Sequence, residues 1–305
     1  MLLFFSKTAS YDHILINHSH SFYDTTGKPT YFITITCNPH WAEIERRMLH
    51  RRQTAYDRSE VTAQVFNEKL HHVIEWITHG GLEQNMSRSH SQPTKTVFLM
   101  YVIEFQKRGL PHAHIAIKVN PEPQTPDEID AVVTAEYPEQ DNTWTIAQNA
   151  ALSAVFKSAV DAATSNRRNW MSVDFLAEKY FAYSSSNPVS LTDLREAAEL
   201  PDTPSSASSL SKWWNTHLHQ HVINTTGLVH KSCSNCRTAD GGRCKRGYPF
   251  PVTCTTTIDR RGYVQYRRRN QQSHLIVPHN FLLSLVAGCH VNVEIAHTVN
   301  IIDYL

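Results

Sequence analysis

Glu104-Phe105-Gln106-Lys107-Arg108-Gly109-Leu110-Pro111-His112-Ala113-His114 carries the chain from one apolar run, Thr96–Phe105, into a second, His112–Val119. Both runs are rich in β-branched and aromatic residues. The turn signal in Gln106–Pro111 between them predicts an antiparallel hairpin. Residues two apart on a strand face the same side, roughly 7 Å apart at Cα, so His112 and His114 can converge on one ion. Glu104, on the preceding strand, can deliver a carboxylate to that face. Two imidazoles and one carboxylate leave positions open on a metal, as a catalytic site requires. An HxH pair on a strand also serves packing and hydrogen bonding. A carboxylate in an apolar strand favours the metal reading, because burying it without a partner is costly. Non-haem iron oxygenases use the same ligand types, but they usually spread them over distant strands, and the compact hairpin argues against that class.

Working outward, Thr30–Cys37 (TYFITITC) alternates and reads as a strand that Asn38–Pro39 ends. Val61, Val65, Leu70, Val73, Ile74 and Ile77 recur at helical spacing, which predicts a helix from Ser59 to about Thr78, stopped by Gly80–Gly81. Residues 84–95 are polar and turn-rich, and 120–142 are Pro-rich and acidic with a short helix expected at Asp127–Glu136. Residues 143–182 read as helical, and 184–212, heavy in Ser and Pro, as a flexible insertion. Gly262–Arg268 is strand-like, Leu275–Val286 is apolar, and Cys289–Ile295 alternates again. These elements predict an α+β fold.

Hydrophobic residues make up 41% of the 305, enough for a real core, and no apolar run is long enough to cross a membrane. A net charge of +1 argues neither for nor against nucleic acid, so local clusters matter more. Arg267, Arg268 and Arg269 form the densest basic run. They are candidate phosphate contacts, with a solvated hairpin face as the alternative. There are 19 histidines, so any single one is weak evidence, the HLHQH run of His217, His219 and His221 included. Trp41 and the Trp213–Trp214 pair read as core aromatics, although Trp41 could stack a base.

Four of the six cysteines, Cys233, Cys236, Cys244 and Cys254, fall in one short stretch beside His230. Clustered Cys with a nearby His points to zinc before disulfides in an intracellular setting. His230, Cys233, Cys236 and Cys244 are the best four-ligand set for a structural Zn²⁺, with Cys254 as substitute. Unligated thiols in a loop are the alternative.

Three blocks together resemble the N-terminal domain of Helitron helicase-like proteins. Phe32-Ile-Thr34-Ile-Thr36-Cys-Asn38-Pro39-His-Trp41-Ala-Glu43-Ile44 is similar to that family's FxTxTxNPxWxEI motif. Glu104–His114 is similar to its EFQKRGLPHxH block, and Val277-Pro278-His279-Asn280 with His290-Val-Asn292-Val-Glu294 to its VPYN and HINVE runs. The resemblance implies a central antiparallel sheet of HUH/Rep type with flanking helices, a helical or disordered insertion and a small Cys-rich module. It implies residues 1–140 as the first part of the nuclease domain, 141–224 as the insertion, 225–274 as the Cys-rich, zinc-binding module and 275–305 as the return to the core. It further implies Mg²⁺ or Mn²⁺ on Glu104, His112 and His114, and single-stranded DNA as the partner. A tyrosine nucleophile would leave a 5′-phosphotyrosine, at a nuclear location. Tyr304 stands where the family's first tyrosine stands. Its second tyrosine and the helicase expected downstream have no counterpart before Leu305. Impaired nicking is therefore expected, and the alternative is an inactive transposon remnant that still binds DNA and metal.

Overall fold

The computed structural model describes residues 2–5, 27–50, 52–83, 94–105, 109–139, 143–165, 190–231, 236, 242 and 244–296. The chain divides into two compact units, Met1–Tyr137 with Thr226–Leu305, and Pro138–Thr225.

The first unit is α+β and is built on one five-stranded sheet. Its strands are β1 (Leu2–Phe5), β2 (Tyr31–Thr36), β3 (Lys95–Phe105), β4 (Pro111–Asn120) and β7 (His290–Ile295), in the order β1-β3-β4-β2-β7. The last four strands of that order are antiparallel to their neighbours, and β1 adds to the β3 edge in parallel. A two-stranded ribbon, β5 (Thr257–Ile258) and β6 (Val264–Gln265), stands apart from this sheet. The expected hairpin is β3–β4, with Phe105 opposite Pro111 and Glu104 opposite His112. Gly109 sits in its turn at φ +82°, a conformation that L side chains rarely adopt.

The alternation in β2 decides the two faces. Tyr31, Ile33 and Ile35 are buried, while Phe32, Thr34 and Thr36 are half-buried. Directly paired residues of antiparallel strands share a face. Ile33 therefore lies with Ile115 and Val293 on the closed side, and Thr34 lies with His114 and Asn292 on the other.

The Ser59–Thr78 helix covers the closed side with Val65, Phe66, Leu70, Val73 and Ile77. Its Lys69 bonds Glu43 at 2.9 Å and lies over the Trp41 ring, 4.9 Å from the centroid. Trp41 is 6% exposed and donates to the Gly288 carbonyl at 3.1 Å, so it packs the core and is not a base-stacking platform. Asn280 caps the Phe281–Ala287 helix and ties down two further segments by donating to the carbonyls of Leu82 and Val132. The short helix expected in the acidic stretch is Pro126–Val132, opened by a capping box between Thr125 and Glu128.

The second unit corrects the expectation of a flexible Ser/Pro-rich insertion. Leu191–Ala197 and Pro204–Thr225 are helices, and Ile146–Ser165 is a third. Composition misled because Ser and Pro here act as helix starters. Ser190 caps with Asp193, and Pro204 stands at the first position of its helix, where a missing N–H costs nothing. Leu152, Leu194, Leu210, Trp213 and Trp214 then bury a core of their own. His217 of the HLHQH run stacks on Trp213 at 3.7 Å and bonds its own helix, which is a packing role. The rest of the expected helical run, from residue 166 on, lies outside the described residues.

Candidate functional site

The open face of the sheet carries its polar side chains in rows. One row runs Glu104, His112, Thr36, His290 across β3, β4, β2 and β7, and the next runs Val102, His114, Thr34, Asn292. Strand pairing alone puts the expected carboxylate and both imidazoles on one side. His114 Nε2 lies 3.6 Å from Glu104 Oε2. The two histidines are nearly buried, at 8% and 7% exposure, while the Glu104 side chain keeps 33%.

The threonines of β2 orient both rings. His112 Nδ1 is 3.0 Å from Thr36 Oγ1, and His114 Nδ1 is 3.1 Å from Thr34 Oγ1. Phe32 stacks on His114 at 5.8 Å with planes 7° apart. With each Nδ1 beside a threonine hydroxyl, Nε2 is the ring atom that could bind a metal, the usual second-layer arrangement around ligating histidines. Burial, reinforced by His114 and His290, pushes the His112 pKa down to about 4 against the pull of Glu104. His112 is therefore a neutral donor at neutral pH. Two nitrogens and one carboxylate oxygen suit a divalent ion that keeps water or phosphate oxygens in its remaining positions.

His290 was missed as a site residue. Its Nδ1 is 2.9 Å from the Gly227 carbonyl, which can only accept, so Nδ1 carries the proton and a neutral ring keeps its Nε2 lone pair. Burial lowers its pKa, against that hydrogen bond, with help from Arg246 and His230. The signals for it were present: His290, Asn292 and Glu294 alternate in HVNVEI, just as Thr34 and Thr36 do in FITITC.

The thiols divide in the same way. Burial pushes Cys37 up to about 12 and raises Cys289, so both are inert core groups. His230, Cys236 and Cys244, by contrast, bring their donor atoms within 4.8 Å of one another. Among the described residues they are the one group of three potential ligands that closes so tightly, and the Glu104–His112–His114 set is wider. Cys254 is exposed and outside the group. Cys233 and Tyr304 lie outside the described residues.

The arginine run requires a correction. Arg268 is 3% exposed, donates to the carbonyls of Ala135, Ser273 and Ile276, and lies over Phe250. Arg267 pairs with Asp130 at 2.9 Å and Glu136 at 3.2 Å, and Arg269 grips Glu136 with two bonds of 2.7 Å. The run anchors the β5–β6 region to the 130–136 segment, and the buried Arg268 is no phosphate contact, while the Arg269 side chain stays 59% exposed beside Glu136. Sequence showed the charge cluster, and the acidic partners more than 130 positions away were invisible to it.

Residues 4–117 match the family model of the Helitron helicase-like domain at the N-terminus. Over that stretch the chain is similar to a Helitron helicase-like N-terminal domain. The matched stretch includes Thr34, Thr36, Glu104, His112 and His114, so the two sheet rows run through the family's own segment. His290 and the Cys-rich module fall outside it. A Helitron-related function follows, and with it an interaction with DNA. No curated protein matches the chain. Among the described residues of this Helitron-like chain, no helix is long and apolar enough to cross a membrane.

Proposed function

We propose that the Helitron-like domain nicks single-stranded DNA and transfers the cut strand, using Mg²⁺ or Mn²⁺ held by Glu104, His112 and His114. The observation that carries this reading is the oriented pair of imidazoles: both Nδ1 atoms are engaged by threonines, both rings stand on the open sheet face, and a carboxylate lies 3.6 Å from one Nε2. Glu104, His112 and His114 would hold a divalent ion, which would supply Lewis acidity to the scissile phosphate. The chain's part is positional. Thr34 and Thr36 fix the rings, and the neutral state of His112 lets it ligate without first losing a proton.

The attacking group in this reading is the Tyr304 hydroxyl. Its oxygen forms a bond to phosphorus as the bond from phosphorus to the 3′ oxygen breaks. The phenolic proton passes to solvent, and the departing 3′ oxygen takes one up. The products are a 5′-phosphotyrosine and a free 3′-OH. A phenol with a pKa near ~10 is a weak nucleophile at neutral pH, and phosphate activation offsets that. The phosphate must reach a face lined by side chains on four strands, which suits an unpaired strand.

Covalent capture tests this. Labelled single-stranded oligonucleotide with Mn²⁺ should give a protein–DNA adduct on a denaturing gel, lost with chelator, with His112→Ala and with Tyr304→Phe. An adduct that survives Tyr304→Phe removes that tyrosine from the mechanism. Salt-sensitive DNA binding without any adduct supports the inactive-remnant reading instead.

A further inference from the structure

Beyond the sheet site, the Cys-rich module holds a second constellation. Cys244 Sγ and His230 Nε2 are 3.4 Å apart, and Cys236 closes the triangle within 4.8 Å. Donors on a tetrahedral zinc, with Zn–N about 2.0–2.1 Å and Zn–S about 2.3 Å, stand roughly 3.5 Å from each other. The Cys244–His230 spacing is already that of two ligands on one ion, and Cys236 stands close enough to join them. Tyr248 stacks on the His230 ring at 4.2 Å with planes 13° apart.

The backbone around these donors forms a tight turn. Cys244 begins a tight turn closed by Gly247 N–H on the Cys244 carbonyl at 2.9 Å, with Gly247 at φ +82°. Lys245 and Arg246 occupy the two corners of that turn and are exposed. Lys245 N–H bonds the Cys236 carbonyl at 2.6 Å, so both thiol residues frame the turn. The His230 segment is pinned beside it: His230 N–H donates to Leu275 O at 2.7 Å, and Gly227, three residues earlier, accepts from His290 on the open sheet face. The turn therefore stands at the β7 edge of the face that carries the metal row.

We propose that His230, Cys236 and Cys244 hold a structural Zn²⁺ that staples this turn, so that Arg246 contacts a backbone phosphate of the single strand lying across the sheet face. The proposal rests on the reading of that face as the DNA site. It supplies the cationic contact that the internally paired Arg267–Arg269 run does not. Arg suits the task because its planar fork meets phosphate oxygens in pairs.

The test has three readouts, none of which requires nicking. Metal analysis should find near-equimolar zinc that persists in His112→Ala. Co²⁺ exchanged into the chelated wild-type protein should show thiolate-to-cobalt charge-transfer absorption, absent in Cys244→Ser. Single-strand binding measured over a salt series should weaken several-fold in Arg246→Ala, with zinc retained. The slope of log affinity against log salt should flatten by about 0.7, the value for one phosphate contact on a single strand. Chelated wild-type protein should lose the same contact and regain it with Zn²⁺, which covers the case of a Cys244→Ser variant that does not fold. Absence of the cobalt–thiolate band, or a Cys236–Cys244 disulfide in the purified protein, overturns the zinc site. An unchanged salt slope in Arg246→Ala overturns the phosphate contact. Loss of the covalent adduct with zinc and slope intact would sink the nicking reading and leave this proposal standing.

Discussion

The two faces of the central sheet are made from the same strands and differ in every other respect. On one, Ile33, Ile115 and Val293 are wholly buried under helices, with no polar atom to satisfy. On the other, one residue along each strand, stand Thr34, His114 and Asn292, and beside them Thr36, His112 and His290. The first face spends its side chains on removing apolar area from water, and the second holds polar groups in fixed orientations that do little for stability. A period-two pattern thus separates stability from chemistry within single strands. A substitution on either face should reveal which of the two it serves.

The largest effect should come from the open face. His112→Ala and His114→Ala should each reduce covalent adduct formation by at least about 10²-fold, since metal activation contributes several kcal/mol to the transition state. Their unfolding midpoints, measured with chelator present, should barely move. A midpoint drop as large as that of a core variant would erase the distinction between the faces.

Next in size is Ile115→Ala on the closed face, where the side chain is fully buried. It should cost about 2–5 kcal/mol in denaturant unfolding, from lost transfer energy and the cavity left behind. The fraction that remains folded should keep its metal affinity. Loss of metal binding in that fraction would show that the faces are coupled.

Thr36→Val sharpens the comparison from within the open face. It keeps the volume and removes the hydroxyl 3.0 Å from His112 Nδ1. Metal affinity should fall about 10–100-fold, as for other outer-layer partners of ligating histidines, with little change in stability. Titration calorimetry with Mn²⁺ reads this, and unchanged affinity would remove the orienting role from Thr36.

The remaining test is the acid dependence. His112 and the fully buried His279 both have pKa values pushed down to about 4, chiefly by burial. Such groups take up no proton in the folded state while the unfolded chain does so near ~6.5. Their contribution is fully present above about pH 6.5 and is lost progressively as pH falls from there toward about 4. Chelated protein should therefore weaken over that window. Substituting His279 by Gln should flatten the slope more than substituting an exposed histidine such as His40.

Much of this was legible in the chain. The hairpin and its HxH pair followed from two apolar runs and a turn, and the Ser59–Thr78 helix from its spacing. The zinc candidates were visible as a local cluster, and three of the four come together. What misled was composition taken without caps or partners. The Ser/Pro-rich stretch holds two helices, and the basic run is an internal anchor, because Asp130 and Glu136 meet it from far away in sequence.

By itself, the sequence determined which residues share a face of each strand, since that depends only on the backbone's period of two. It could not determine which strand lies beside which. The order β4-β2-β7 sets His290 in one row with His112 across Thr36, and it joins segments more than 170 residues apart through non-local packing of the closed face. The same holds for the arginines. Charge is a property of the residue, but whether a guanidinium meets solvent or three buried carbonyls, as Arg268 does, depends on where the rest of the chain folds around it.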